Sequence, residues 1–248
     1  MAVRLEAAAI AVLQREWKSG GEGVLRMDKK VVVIAGGSGG LGQTVVPSLR
    51  NAGARVITAD RNPSATLVES GAAIKVDVTN EGDVRRLVEE ALRREGHIDA
   101  LVNLVGGFTT GHVVETDATA WDRMLTMNLT AAFLLSKAVL PSMLERRAGR
   151  ILHIAARAAV DPFPGAAAYV VSKAGLAALI RVLSLETAGS GVTVNGILPT
   201  TIDTQANRKS MPDADVSKWV KPDSIARLIA FLISENAGQI NGALIPVG

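Results

Sequence analysis

A glycine-rich turn between an apolar run and a helix constrains the fold of this chain more than any other stretch. Residues 31–35 are all apolar, as is typical of a parallel strand buried on both faces. Glycines follow with the spacing Gly-x-x-x-Gly-x-Gly (Gly36, Gly40, Gly42), and residues 43–51 have a helical pattern. Backbone N–H groups in such a turn can approach a pyrophosphate at the positive end of the helix. The turn therefore predicts a phosphate-binding unit of alternating strands and helices.

The same turn also spells Gly-x-Ser-x-Gly around Ser38, which is the pattern around a hydrolase nucleophile. Such a hydrolase needs an acid and then a histidine further along the chain. His97, His112 and His153 offer no clear candidate, and none has the spacing of a metal ligand. Phosphate binding is therefore the better interpretation of the turn, and no metal site is expected.

The second predicted strand, residues 55–59, ends in an acidic residue. Asp60 follows the glycines by about 20 residues, where a carboxylate can accept hydrogen bonds from the ribose hydroxyls of an adenosine. Because that carboxylate would repel a 2′-phosphate, we expect NAD to be preferred over NADP. Arg61 keeps NADP open, since its guanidinium could bind the phosphate. A helix cap or a turn is the structural alternative for Asp60.

Strands and helices alternate along the chain. Further strands are predicted at residues 72–76, 100–105, 150–155, 192–198 and 243–247, and further helices at residues 81–95, 119–147, 165–188 and 222–234. This order predicts an α/β fold, a Rossmann-type doubly wound parallel sheet of about seven strands with helices on both faces. Ligands of such sheets bind beyond the carboxyl ends of the strands. Residues 204–220 lose the apolar periodicity and are expected to cover a substrate.

Composition narrows the classes of function. Hydrophobic residues make up 48% of the 248 residues but aromatic residues only 3%, so the core is expected to be aliphatic. The net charge of +3 is spread along the chain, which does not favour nucleic-acid binding. The chain has no cysteine, which fits a reducing compartment. No uninterrupted apolar run reaches the ~20 residues that span a bilayer, so a cytoplasmic protein is expected.

The beginning of the chain stands apart. Residues 2–18 have a helical apolar stripe, and a glycine-rich break follows. We therefore predict a helical extension over residues 1–26 and a single domain over residues 27–248. The extension lacks the pattern of a signal peptide, and no chemistry is assigned to it.

The chain's one tyrosine, Tyr169, precedes Lys173 by four residues on a predicted helix. This spacing places both side chains on one helix face. An ammonium beside a phenol favours the phenolate, so a proton donor with an ordinary pKa near ~10 could work closer to neutral pH. A solvated helix face is the alternative interpretation of the pair. Asn128 lies inside another predicted helix, where asparagine is a poor helix former, and could bond to a backbone group or hold a water.

Together these residues resemble the short-chain dehydrogenase/reductase family over residues 30–248. The glycine turn matches the cofactor loop of the family, with Ala35 where threonine is usual. Residues 101–106 keep only the first asparagine and the glycine of the family's Asn-Asn-Ala-Gly. The resemblance implies a catalytic set of Asn128, Tyr169 and Lys173.

The resemblance also implies a cofactor site along the strand ends. Asp77 and Val78 match the pair that contacts adenine, and the segment from Pro199 to Thr204 matches the one that holds the nicotinamide amide. The implied cofactor-binding residues are Gly36, Ser38, Gly40, Leu41, Gly42, Asp60, Arg61, Asp77, Val78, Asn103, Gly106, Tyr169, Lys173, Pro199, Ile202 and Thr204.

One position departs from the family pattern. The catalytic serine should lie thirteen residues before the tyrosine, and that position is Ala156. In a carbonyl reductase the serine donates to the oxygen that becomes negative, and loss of such a donor costs about 10²–10³ in rate. Either the enzyme is inactive, or its substrate does not need the donor.

A second resemblance favours the latter. Residues 198–215 are similar to the substrate-side segment of the dihydropteridine reductase branch, which also lacks the serine and prefers NADH. The resemblance implies a quinonoid dihydropterin-like acceptor, in which developing charge falls on ring nitrogen and Tyr169 can supply the proton. Two alternatives remain: a reductase or dehydrogenase of ketones or alcohols, for example 3-oxoacyl thioesters, and a dinucleotide-binding regulator or scaffold. A homodimer or homotetramer is the family habit.

Overall fold

The computed structural model describes residues 26–248. The helix predicted at residues 2–18 lies outside the described residues, and so does the predicted extension over residues 1–26 apart from its last residue.

Within residues 26–248 the structure has one sheet of seven parallel strands in the order β3-β2-β1-β4-β5-β6-β7. The strands are β1 Val31–Ala35, β2 Arg55–Asp60, β3 Ala73–Lys75, β4 Ala100–Asn103, β5 Gly149–Ile154, β6 Val192–Pro199 and β7 Leu244–Val247. The order reverses direction at β1, so the crevice between the ends of β1 and β4 is the topological switch point. The predicted doubly wound α/β fold is confirmed.

Eight α-helices connect these strands in the described part of the chain. They are α1 Gly42–Asn51, α2 Ala65–Glu69, α3 Glu81–Glu95, α4 Ala118–Leu125, α5 Ala131–Arg146, α6 Ala167–Glu186, α7 Gln205–Ser210 and α8 Pro222–Leu232. The core lies in two layers because successive strand side chains point to opposite faces. Val33 of β1 belongs to the layer under α3, α5 and α6, whereas Val32 and Ile34 belong to the layer under α1 and α8.

The fourth strand is shorter than predicted. Strand β4 ends at Asn103 because the amide N–H of Val105 donates to Asn103 Oδ1 at 3.0 Å instead of continuing the strand ladder. A side chain that competes for backbone bonds in this way ends regular structure. The chain is thereby free to turn outward at the switch point.

The long helix predicted over residues 119–147 is interrupted. A π-helical turn, Thr126–Thr130, separates α4 from α5 and contains Asn128. Such turns inside α-helices occur frequently at functional sites. Asn128, a poor helix former, therefore lies where the helix changes locally from α to π geometry.

The segment predicted to cover the substrate is partly helical. Residues 204–220 contain α7 and a 3₁₀ turn, Val216–Lys218. A bridge between Ile202 and Val220 closes the base of the segment beside β6. The sequence did not indicate α7, because a helix of six residues is too short to show an apolar period, and the substrate-covering role of the segment stays a prediction.

Two helical stretches, Ala118–Arg146 and Ala167–Glu186, are long and apolar enough in composition to cross a membrane. Core helices of soluble proteins have the same composition, and both stretches here line the sheet, with 44% and 39% of their most apolar windows buried. Their outward sides still expose large apolar residues, namely Phe133, Leu144, Val182 and Leu185.

Candidate active site

The glycine turn joins β1 to α1 by a close backbone contact. A Cβ added at Gly42 would lie 2.3 Å from the carbonyl oxygen of Gly37, so no other residue fits at the start of this helix. The turn also meets the segment after β6, since a Cβ at Gly40 would lie 3.1 Å from Thr204 Cβ. Leu41, next to it, is buried. The turn thus lies at the carboxyl edge of the sheet, with the N-terminus of α1 behind it.

Asp60, at the end of β2, is fixed by the same turn. Its Oδ1 accepts hydrogen bonds from the backbone N–H of Ser38 at 3.0 Å and from Ser38 Oγ at 2.7 Å. Asp60 is buried, whereas the neighbouring Arg61 is exposed. Ser38 Oγ is therefore a donor to a carboxylate, a role different from that of a nucleophile activated by histidine.

Asp77 and Val78 lie in the turn between β3 and α3. Asp77 Oδ1 accepts from the Thr79 hydroxyl at 2.6 Å and from the Thr79 N–H at 3.0 Å. These bonds, the hydroxyl first, lower the pKa of Asp77. Val78 is buried. The carboxylate of Asp77 thus stabilises its own turn at the same edge of the sheet.

Asn103 is buried, and its side chain bonds inside the protein. Its Oδ1 accepts from Val105, and its Nδ2 lies 3.2 Å from His153 Nδ1. The amide of Asn103 therefore holds the strand end in place, and its cofactor-binding role stays a prediction.

Asn128 bridges three elements from inside the π-helical turn. Its Oδ1 accepts from the N–H of Gly107 at 2.9 Å, and its Nδ2 donates to the Gly107 carbonyl at 3.1 Å and to Ser172 Oγ at 2.9 Å. Ser172 Oγ in turn donates to the carbonyl of Tyr169 at 2.7 Å. Asn128 thus bonds to a backbone group, as one of its two expected roles required, and the proton-relay water stays a prediction.

Gly106 lies between two of the predicted catalytic residues. A Cβ added at Gly106 would lie 2.9 Å from Asn128 Oδ1 and 3.1 Å from Lys173 Nζ. The loop after β4 is therefore packed directly on the polar ends of both side chains. Any larger residue at this position would displace one of them.

Tyr169 and Lys173 lie on α6, beside the end of β5. Lys173 is buried, and its Nζ donates to the carbonyl of Ile154 at 2.9 Å. Burial lowers the pKa of Lys173 to about 8 and raises the pKa of Tyr169 to about 12. The expected lowering of the tyrosine pKa by Lys173 is therefore not found here, because the loss of solvent around the phenol raises the pKa instead.

Phe108, which the sequence did not single out, packs against the predicted catalytic tyrosine. The two rings meet edge to face, with centroids 4.8 Å apart and an interplanar angle of 78°. Phe108 is 58% exposed, so it stands at the mouth of the site. The sequence signal that could have identified Phe108 as a site residue is its position directly after two glycines at the end of a buried strand.

Ala156 occupies the position expected for the serine. It is buried, follows β5 and caps a 3₁₀ turn, Arg157–Ala159, in an extended conformation. A methyl group cannot donate a hydrogen bond. Of the residues at these two positions, only Tyr169 carries a hydroxyl that could donate a proton.

The segment after β6 closes the other side of the site. Pro199 ends β6, Ile202 forms the bridge described above, and Thr204 caps α7 by accepting from the N–H of Asn207. Asp203, which the sequence did not single out, pairs with Arg208 at 2.6 Å and with Lys221 at 2.9 Å. These partners, Arg208 first, hold the pKa of Asp203 well below its usual range.

Comparison with known proteins gives a consistent result. A family model described as short chain dehydrogenase matches residues 30–215. The chain is 31% identical over 245 residues to 2-(S)-hydroxypropyl-CoM dehydrogenase 3 of Xanthobacter autotrophicus, covering 90% of this chain and 96% of that protein. It is 32% identical over 259 residues to dehydrogenase/reductase SDR family member 4 of Bos taurus, covering 94% and 93%. The crystal structure of gox2181 is similar, with a TM-score of 0.82 and 29% identity over 90% of this chain and 96% of that chain.

Proposed function

This chain belongs to the short-chain dehydrogenase family and is an NAD(P)-dependent oxidoreductase, and from that premise we propose that it is an NADH-dependent reductase with Tyr169 as proton donor. The acceptor we favour is a quinonoid dihydropterin or a ring of similar chemistry. The combination of a neutral tyrosine with an alanine in place of the serine carries this proposal.

The residues at the carboxyl edge of the sheet fit a dinucleotide. The glycine turn presents backbone N–H groups at the start of α1, which suits a pyrophosphate. The carboxylate of Asp60, held through Oδ1 by Ser38, is assigned to the adenosine ribose through Oδ2. We assign the nicotinamide ribose to Lys173 and the nicotinamide amide to Pro199, Ile202 and Thr204. NADH supplies the hydride when it is bound.

The protonation state of Tyr169 near neutral pH matches that of a proton donor. Burial raises the pKa of Tyr169 to about 12, so its hydroxyl keeps its proton near neutral pH. A general acid must hold a proton at the working pH, whereas oxidation of an alcohol would need the phenolate as base. Tyr169 is therefore set to give a proton as hydride reaches the acceptor.

The alanine at position 156 narrows the class of acceptor. A ketone that receives hydride develops charge on its oxygen and gains from two donors. An electron-poor ring with a conjugated imine develops charge on nitrogen, which one proton from Tyr169 can neutralise. The similarity of residues 198–215 to the dihydropteridine reductase branch supports the same class.

The ketone or alcohol reaction is the second candidate, because the relative from Xanthobacter autotrophicus is named as the dehydrogenase of a hydroxypropyl compound. NADP is an alternative cofactor for that reaction, because the Arg61 guanidinium could bind its 2′-phosphate. A catalytically weak regulator or scaffold is the third, although a binding protein has no need of Tyr169, Lys173 and Asn128 together.

We also propose a homodimer or homotetramer in the cytoplasm. The exposed apolar residues of α5 and α6, such as Phe133 and Leu185, offer a surface that a second copy could cover. The apolar composition of the two helices, with less than half of each window buried inside one chain, supports this assignment.

The function is tested by following oxidation of NADH and of NADPH with a quinonoid dihydropterin, a secondary ketone and a 3-oxoacyl thioester. We expect the dihydropterin to be reduced fastest, with NADH as donor. The matched variant is Ala156→Ser, which restores the second donor. It should raise ketone reduction by about 10-fold or more and change dihydropterin reduction little. Faster ketone reduction by the unaltered protein would contradict the proposed substrate, and NADH binding without any turnover would support the scaffold.

A further inference from the structure

His153 is a buried polar side chain that the proposed reaction does not use. It lies on β5, fully enclosed between β4 and α5. Its Nε2 is 3.0 Å from Ser136 Oγ on α5, and its Nδ1 is 3.2 Å from Asn103 Nδ2 on β4. Buried polar groups must be paired, so each of these contacts fixes which ring nitrogen carries the proton.

The neighbours of His153 leave one arrangement of protons. Ser136 Oγ donates its hydrogen to the carbonyl of Ala132 at 2.8 Å, so its oxygen accepts from Nε2–H of His153. Asn103 Oδ1 accepts from Val105, which turns its NH₂ group towards Nδ1. His153 is therefore neutral, with a proton on Nε2 and a lone pair on Nδ1 that accepts from Asn103.

This lone pair decides the orientation of the Asn103 amide. If the amide turned over, its NH₂ group would face the N–H of Val105, and two donors would meet. With the amide held by His153, Val105 stays bonded to Oδ1, and the chain leaves β4 towards Gly106 and Gly107. Gly106 leaves no room for a Cβ beside Lys173 Nζ, and the N–H of Gly107 donates to Asn128 Oδ1.

The backbone beside His153 reaches the same lysine. The carbonyl of Ile154, the next residue, accepts from Lys173 Nζ at 2.9 Å. Lys173 is thus enclosed by the strand that carries His153 and by the loop whose course His153 sets through Asn103. A shift of either would move the ammonium relative to Tyr169.

We propose that His153 is a positioning residue of the catalytic site: its neutral ring, with the proton on Nε2, orients Asn103 and so places the loop 104–107 against Asn128 and Lys173. This inference deepens the proposed function and rests on it for the roles of Lys173 and Tyr169. His153 itself touches neither substrate nor cofactor.

The test compares two amides at this position. In His153→Asn the side-chain oxygen can occupy the place of Nδ1 and still accept from Asn103, whereas in His153→Gln the amide reaches only the place of Nε2. We expect His153→Asn to keep NADH affinity and kcat close to those of the unaltered protein. His153→Gln should lose about 10-fold in NADH affinity and in kcat, because a buried donor is left unpaired.

Asn195→Ala is the matched control for a merely structural effect. Asn195 is as buried as Asn103 and bonds on both sides of its amide, to the carbonyl of Ile240 and the N–H of Ala243, away from the loop after β4. The variant Asn195→Ala should lower the melting temperature without changing NADH affinity or kcat. The proposal would be overturned if His153→Gln and Asn195→Ala, at equal melting temperature, lost NADH affinity and kcat to the same extent. Equal losses of NADH affinity and kcat in His153→Asn and His153→Gln would also overturn it.

A readout that needs no turnover keeps this inference separate from the proposed function. NMR of protein with nitrogen-labelled histidine gives signals for each ring, and the signals that vanish in His153→Asn belong to His153. These signals should show a protonated Nε2 and an unprotonated Nδ1. A proton on Nδ1 would overturn the inference. If none of the acceptors is reduced, the proposed function fails, while the ring signals and NADH affinity still decide the role of His153.

Discussion

Low pH should destabilise this protein because the buried imidazole of His153 resists protonation in the folded state. His153 is fully enclosed, and burial lowers its pKa from 6.5 to about 3, with the nearby positive charge of Lys173 acting in the same direction. Between those two pH values the unfolded chain binds one proton more than the folded protein does. Stability contributed by the neutral ring is therefore complete above about pH 6.5 and is lost as the pH falls towards 3.

The size of the effect follows from the two pKa values. Each pH unit well inside the window removes about 1.4 kcal/mol from the free energy of unfolding. Between about pH 7 and about pH 5, the loss due to His153 alone is about 2 kcal/mol. Paired carboxylates, such as those of Asp203 and Glu90, contribute to acid sensitivity only at lower pH, since their pKa values are lowered.

Urea unfolding at the two pH values measures this loss. The variant His153→Asn removes the titrating ring, so the difference between its two free energies of unfolding should shrink by about 2 kcal/mol relative to the unaltered protein. His112→Gln, at an exposed position, is the control and should keep the full difference. If His153→Asn loses as much stability on acidification as the unaltered protein does, the reasoning about the buried neutral ring is wrong.

Three further outcomes follow from the site. Asp60→Ala should reduce the preference for NADH over NADPH by about 10-fold or more, as measured by the ratio of kcat/KM values, because hydrogen bonds to a charged acceptor are lost. An unchanged ratio would remove Asp60 from cofactor selection. Gly106→Ala should lower kcat by about 10-fold, since its Cβ would press on Asn128 Oδ1 at 2.9 Å; an unchanged kcat would mean that the loop can yield. Because the chain has one tyrosine, phenolate absorbance reports Tyr169 alone, and its midpoint should lie near pH 12 and fall towards 10 in Phe108→Ala, which uncovers the ring. A midpoint already near 10 in the unaltered protein would contradict the burial argument.

The fold could be predicted because its signals are local. Continuous apolar runs and a glycine turn of fixed spacing identify strands buried on both faces, and the alternation with helices leaves little choice of topology. The boundaries that were wrong depend on side chains that bond to the backbone. Strand β4 stops at Asn103 for that reason, and no periodicity could reveal it.

The members of the site could be predicted better than their roles. Spacing and resemblance indicated Asn128, Tyr169 and Lys173, and the structure places Asn128 and Lys173 around Gly106. The direction of the tyrosine pKa was wrong, because a spacing of four residues gives the distance to an ammonium but not the loss of water around the phenol. Burial is a property of the whole fold.

The residues missed in the sequence act through contacts between distant segments. Phe108, in the loop after β4, meets Tyr169 on α6. His153 meets Asn103 on the neighbouring strand β4 and Ser136 on helix α5. For a lone histidine in an apolar strand, no sequence pattern distinguishes a side chain that only fills the core from one that positions the catalytic residues. Only the hydrogen-bond partners make that distinction.

In the proposed reaction Tyr169 supplies the proton almost alone. Tyr169→Phe removes the hydroxyl and keeps the ring, including its contact with Phe108. Oxidation of NADH with a quinonoid dihydropterin should then fall by about 10²–10⁴ in kcat. NADH affinity should stay close to that of the unaltered protein. Equal rates for the two proteins would remove Tyr169 from the mechanism and contradict the account.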